Sequence, residues 1–198
     1  MKKIEKVEIK GLKIANVQIK IEGISPLIVH KWSEKIIQEM EDKHMGKPKN
    51  SKHDILIPEQ EYQDAKHVSV DGWEGFPAVG FKASMVRAGK MIGMVMKDIQ
   101  SAFFVIADDP ITQLVKIVPN ESVMRRDIVR LSSGAPDLRY RPEYRVWSAV
   151  LNIEFNQGIL SLDEIYQLVM AAGYGSGIGE MRPEKTKYAF GRWKLIQN

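Results

Sequence analysis

The sequence predicts an α+β fold. Segments that alternate apolar and polar residues with period two are interspersed with segments whose apolar residues recur at helical spacing, and turn-forming residues separate the two kinds. At 198 residues, with 44% hydrophobic and 27% charged residues, the chain has enough apolar material for one substantial core, which excludes global disorder. The expectation is one domain over residues 1–198, with a mobile basic loop near 43–53 and an arginine-rich arm near 123–145.

From the N-terminal side, Ile14 to Glu22 sets Val17, Ile19 and Ile21 against Asn16, Gln18, Lys20 and Glu22, the pattern of a strand with one buried face. Ser33 then offers an N-cap to a helix running to Met45, with Ile36, Ile37, Met40 and His44 in period and Gly46 as its stop. Lys43 to His53 is lysine-rich and poor in apolar groups, as a mobile loop would be. Asp71-Gly72 signals a hairpin turn, and Val79 to Val95 predicts a second helix through Phe81, Met85, Ala88 and Ile92. Apolar runs at 102–106 and 113–118 predict two strands, expected to form a hairpin across Pro110. Val123 to Leu131 alternates with no clean apolar face, which places it at a sheet edge or on a protruding arm.

Residues 132–137 read as a loop by composition, and Val146 to Phe155 returns to clean alternation. Ser161 and Glu164 form a capping-box pair ahead of Ile165, Leu168, Val169 and Ala172, a helix expected to end at Gly173. Tyr188 to Ile196 supplies the last strand. This order is compatible with a ferredoxin-like, RRM-like βαββαβ core elaborated by insertions.

The absence of cysteine excludes a disulfide framework and cysteine-rich zinc sites, and fits a reducing, cytoplasmic setting. The first residues lack the continuous apolar segment of a signal peptide, and no stretch reaches membrane-spanning length, so no membrane partner is expected. Net charge is +4, a mild excess, but six of the nine arginines fall between Arg125 and Arg145, among Tyr140, Tyr144 and Trp147. Arginine offers a planar donor fork to phosphates and a face for stacking on bases, so this cluster of Arg125, Arg126, Arg130, Arg139, Arg141 and Arg145 with Tyr140 and Tyr144 points to a polyanion, single-stranded nucleic acid above all. Asp127, Asp137 and Glu143 lie among them, so part of the cluster is equally readable as structural ion pairs.

The glycine cluster from Gly173 to Gly179 follows a helix and precedes a strand, the reverse of the strand-to-helix context of a nucleotide fingerprint. Tight local packing and close approach to another chain both explain Gly175, Gly177 and Gly179; Arg182 and Lys185 beside them favour a phosphate backbone as that chain. The four histidines lack zinc-site spacing, Asp108-Asp109 ahead of Pro110 reads as a solvated turn, and no nucleophile motif accompanies His30. No catalytic set, metal or cofactor is therefore expected. His30, Lys31 and Trp32 together have the character of a groove wall.

Ile24-Ser25-Pro26-Leu27, Gly75-Phe76-Pro77-Ala78 leading into the segment from Phe81 to Arg87, and Gly175-Ser176-Gly177-Ile178-Gly179 together resemble the RAMP superfamily, ferredoxin-like RNA-binding proteins that include backbone subunits of CRISPR effector complexes. The resemblance implies a RAMP-like fold that multimerises along single-stranded RNA or DNA, and it adds Lys82 and Arg87 to the binding residues. In Ser25 to Lys35 and Gly179 to Lys185 the chain also resembles uncharacterised phage and prophage proteins, which implies an infected or lysogenic bacterial host. The expectation is thus a non-catalytic, homo-oligomeric nucleic-acid-binding protein. The alternative is a phage interaction or inhibitor protein that seizes an acidic host protein or a nucleotide signal, with a nuclease as the less favoured third.

Overall fold

The structure, a computed structural model, describes residues 12–47, 57–130 and 133–196. The strands, in chain order, are β1 (Ile14–Gly23), β2 (Leu27–Ile28), β3 (Gly75–Pro77), β4 (Phe103–Ile106), β5 (Leu114–Lys116), β6 (Val123–Arg130), β7 (Pro136–Tyr144), β8 (Ser148–Asn156) and β9 (Trp193–Leu195). The helices are α1 (Glu34–His44), α2 (Pro58–Asp64), α3 (Ala78–Ala88), α4 (Met96–Ile99) and α5 (Leu162–Ala171).

Period-two alternation builds the central sheet, whose order is β4-β8-β1-β9 with every neighbouring pair antiparallel. β1 and β8 pair over their whole length, from Ile14 opposite Asn156 to Glu22 opposite Ser148. Ile19, Ile21, Leu151, Ile153, Phe155 and Phe103 point to one face, where Phe81 and Met85 of α3 and Ile165, Leu168 and Val169 of α5 cover them. The opposite face shows Asn16, Gln18 and Lys20 to solvent, as the alternation requires. The capping box of α5 forms as predicted: the Glu164 amide donates to the Ser161 hydroxyl at 3.2 Å, and the Ser161 amide donates to the Glu164 carboxylate at 2.7 Å. Ser33 likewise caps α1, although α1 buries none of its residues.

A second sheet runs β2-β7-β6 and a third pairs β3 with β5. β7 was not foreseen. Residues 133–135 alone remain of the expected loop among the described residues, because Pro136 and Asp137 already belong to the strand. The expected hairpin of β4 with β5 does not form: β4 pairs with β8 and β5 with β3, after the chain is turned by Asp109, which accepts from the Val70 and Ile111 amides and the Thr112 hydroxyl. Asp109 is buried rather than solvated, and those donors, the Thr112 hydroxyl foremost, hold its carboxyl down at about 2.

The second predicted helix stops at Ala88, since Gly89–Ile92 tightens into a 3₁₀ turn ending at Gly93 with φ 77°. Met85 fills the core as its spacing implies, whereas Met91 is exposed. α5 does not end at Gly173, because the chain continues as a π-type turn over Ala172–Ser176 and reverses at Gly177. The final strand is confined to Trp193–Leu195. Of the expected mobile loop, Lys43 and His44 belong to α1, and residues 48–53 lie outside the described residues. No helix among the described residues is long and apolar enough to cross a membrane.

Candidate nucleic-acid interface

β6 and β7 pair along their length, with Arg125 opposite Arg141 and Arg126 opposite Tyr140. Successive side chains of a strand point to opposite faces, so the pairing sorts the arginines into two groups. One face is an ion-pair network. Arg125 donates to Asp127 at 2.9 Å and to Glu143 at 2.9 Å, Arg141 to Asp127 at 2.6 Å and to Glu180 at 3.5 Å, and Arg139 to Asp137 at 3.0 Å. Arg141 is only 1% exposed, so its charge is held by Asp127 and Glu180 and is withdrawn from solvent.

The other face presents Met124, Arg126, Ile128 and Arg130 of β6, opposite Pro142, Tyr140, Leu138 and Pro136 of β7; none of these eight strand residues is acidic, and Glu61 and Asp64 of α2 line a groove with Leu138 and Tyr140. Among the described residues Arg126, which is exposed, has no ion-pair or hydrogen-bond partner, and Arg130 reaches the Gly134 carbonyl alone, at 3.3 Å. Among the described residues β6 is also the outer strand of its sheet, with no strand paired to its far edge. Beyond β7, Arg145 is exposed and lies 3.6 Å from Glu143.

Beside this hairpin a cleft of about 370 Å³ opens between the start of α3 and the segment from Ile178 to Arg182. Val79, Ala83 and Arg87, four residues apart, run down the helix face that lines it. Phe76 and His67 form one wall, packed edge to face, and His30, just past β2, stands at the junction with a second groove that includes Lys31, Arg139 and Tyr140. Burial holds both imidazoles below their ordinary range, helped at His30 by Arg139 and at His67 by Lys31; His67 sits at about 4. Both are therefore neutral at neutral pH. Arg87 and Arg182 meet a shared carboxylate, Glu184: the Arg87 Nε lies 2.6 Å from it but off the N–H direction, an ion pair more than an aligned hydrogen bond, and the Arg182 Nε donates at 3.3 Å.

The glycines next to the cleft are packed within the chain. Gly177 and Gly179 have φ of 66° and 73°, and a Cβ on Gly179 would collide with the Ile28 carbonyl oxygen. The Gly177 carbonyl accepts from the buried Ser84 hydroxyl at 2.8 Å, and the Gly179 carbonyl accepts from Arg182 at 2.9 Å. Gly175 lies against Met91. Close approach by another chain is thus not needed to explain them: the local-packing reading that the sequence left open accounts for Gly177 and Gly179.

No family model matches this chain, and no curated protein matches it. Among solved structures, it is similar to the crystal structure of Cmr6 from Pyrococcus furiosus, at 10% identity and a TM-score of 0.47, with 94% of this chain and 100% of that one covered.

The sequence-predicted residues thus divide. Arg87, Gly179 and Arg182 come together at the cleft, Lys31, Arg139 and Tyr140 at the adjoining groove, and Arg126 and Arg130 on the second hairpin face. Tyr144 is not available for stacking: it is fully buried and donates to Glu74 at 2.6 Å, and burial together with that carboxylate pushes its phenol well above the ordinary range. Lys82 stands away from the cleft, 4.0 Å above the ring of Phe104, with burial lowering its pKa. Lys185 is exposed past the cleft rim. His67 and Phe76 were missed, since neither carries a spacing signal and it is the Val68–Glu74 bridge, with the Gly75 amide donating to the His67 carbonyl, that turns them together.

Proposed function

We propose that this protein binds single-stranded nucleic acid, as a RAMP-type protein with a ferredoxin-like core, and that it does so without cleaving the strand. The observation that carries the proposal is the face of the β6–β7 hairpin whose strand residues include no acid, where Arg126 and Arg130 alternate with Met124 and Ile128 on an outer strand. Unpaired guanidinium groups neutralise phosphates and release counterions, and the interleaved apolar side chains give bases a surface to lie on. Ion-paired arginines of the opposite face do the structural work instead, fixing the hairpin's shape.

The core assignment is supported by the sheet order β4-β8-β1-β9, with α3 between β1 and β4 in the chain and α5 between β8 and β9. Multimerisation along the strand is part of the same proposal, with the outer edge of β6 as the element that a neighbouring subunit or the strand itself would meet. Size-exclusion chromatography with light scattering, run with and without a single-stranded oligonucleotide, tests binding and assembly together. A shift to discrete higher masses with oligonucleotide supports the proposal, and an unchanged monomer peak with free oligonucleotide contradicts it.

A further inference from the structure

The cleft beside the glycine segment has more specific chemistry than a phosphate track needs. Its walls are mainly apolar, from Phe76, Pro77, Val79, Ala83 and Ile178, and its volume of about 370 Å³ is at the small end of the range for clefts that enclose a single small ligand. The two imidazoles, neutral for the reason given above, each offer one donor and one acceptor, which suits the edge of a heteroaromatic ring better than an anion. His30 Nδ1 is buried away from solvent and has no hydrogen-bond partner among the described residues, so it is the other ring nitrogen that a ligand in the cleft can meet.

The lining cations are Arg87 and Arg182, which Glu184 fixes side by side. Glu180 also lines the cleft and pairs with Arg141, while Glu184 pairs with both cleft arginines, so three guanidinium groups meet two carboxylates and one positive charge is left over. That balance matches a single phosphodiester charge and disfavours the several charges of a nucleoside triphosphate.

We propose that the cleft holds one nucleotide of a bound strand, with its base against Phe76 and Val79 within reach of His30 and His67 and its phosphate at Arg87 and Arg182. The inference rests on the proposed nucleic-acid function and adds to it a site that reads one base where the hairpin face only tracks the backbone. The base would leave the stack of its neighbours to enter, since the cleft has room for one ring system.

The test uses the full chain and a single-stranded oligonucleotide carrying one 2-aminopurine, a base whose fluorescence reports unstacking. Wild-type protein is expected to change that fluorescence on binding. Ala83→Leu, which fills the cleft, and His67→Gln, which keeps one amide donor and acceptor, are each expected to abolish or halve the change and to weaken binding about fivefold or more. Far-ultraviolet circular dichroism and melting curves establish that each variant is folded, and having two variants guards against failure of either. Binding by wild type with no fluorescence change, or unchanged affinity and fluorescence in both variants, overturns the cleft assignment and leaves the hairpin proposal standing. No binding by wild type overturns both. Equal affinity for the free 2-aminopurine nucleoside monophosphate overturns the assignment to a strand.

Discussion

The Tyr144 hydroxyl donates to Glu74 at 2.6 Å, joining the last residue of β7 to the bridge residue that precedes β3. Glu74 also receives Lys66 at 2.9 Å and the Ser122 hydroxyl at 2.8 Å, so three elements converge on one carboxylate. Tyr144→Phe is predicted to lower stability by about 1–2 kcal/mol while leaving oligonucleotide affinity unchanged at temperatures where the variant is folded. Chemical denaturation and anisotropy titrations on one preparation check it; a loss of affinity without loss of stability would return Tyr144 to the interface.

The same carboxylate gives a pH dependence with a definite sign. Burial alone would raise the pKa of Glu74, but the hydrogen bonds from Tyr144, Lys66 and Ser122 outweigh it and hold the value below 4.5. A folded-state pKa below the unfolded one stabilises the protein above the unfolded value, and that stability is lost as pH falls through the folded value. Glu74→Gln is therefore predicted to destabilise at pH 7 and to flatten the acid limb of the stability curve below pH 4.5. A variant with an unchanged acid limb would contradict this.

His67 acts in a higher window. Its folded pKa of about 4, against 6.5 for the free side chain, means the unfolded chain takes up the proton first, so melting temperature should fall as pH drops from about 6.5 to about 4. His67→Gln is predicted to remove that part of the slope. Melting curves at half-unit pH steps decide, and identical slopes in wild type and variant would show that His67 titrates normally.

Gly179→Ala is predicted to cost about 1–3 kcal/mol, because it combines a left-handed φ of 73° with a collision at the Ile28 carbonyl. Any loss of binding should track unfolding and vanish at low temperature. A variant that melts normally but binds poorly would restore the glycine segment to a direct contact with the strand.

Parts of this arrangement can be seen in the sequence and parts cannot, for physical reasons. β1, β8 and α5 are legible because each stabilises itself against the core through its own periodicity and, in α5, its own cap. β7 is not: Pro136 to Tyr144 shows no apolar period, because its inner face is held by ion pairs with β6 and its place in the sheet depends on partners that are distant in sequence. The arginine cluster was visible as composition, but which members would be neutralised depended on a register that put Asp127 across from Arg139 and within reach of Arg141. Four glycines within seven residues left local packing and another chain both open, and the close approach that Gly177 and Gly179 allow, to β2 and to the chain's own later residues, depends on contacts distant in sequence.

The central claim is that the hairpin face bearing Arg126 and Arg130 holds the phosphate backbone, and salt-dependent anisotropy of a single-stranded oligonucleotide tests it most directly. For Arg126→Glu with Arg130→Glu, both exposed and outside the ion-pair network, binding at low salt should weaken about tenfold or more, and the slope of log affinity against log salt should shrink by about 0.7 for each lost phosphate contact, with no change in melting temperature. An unchanged affinity and slope in a folded double variant would contradict the account.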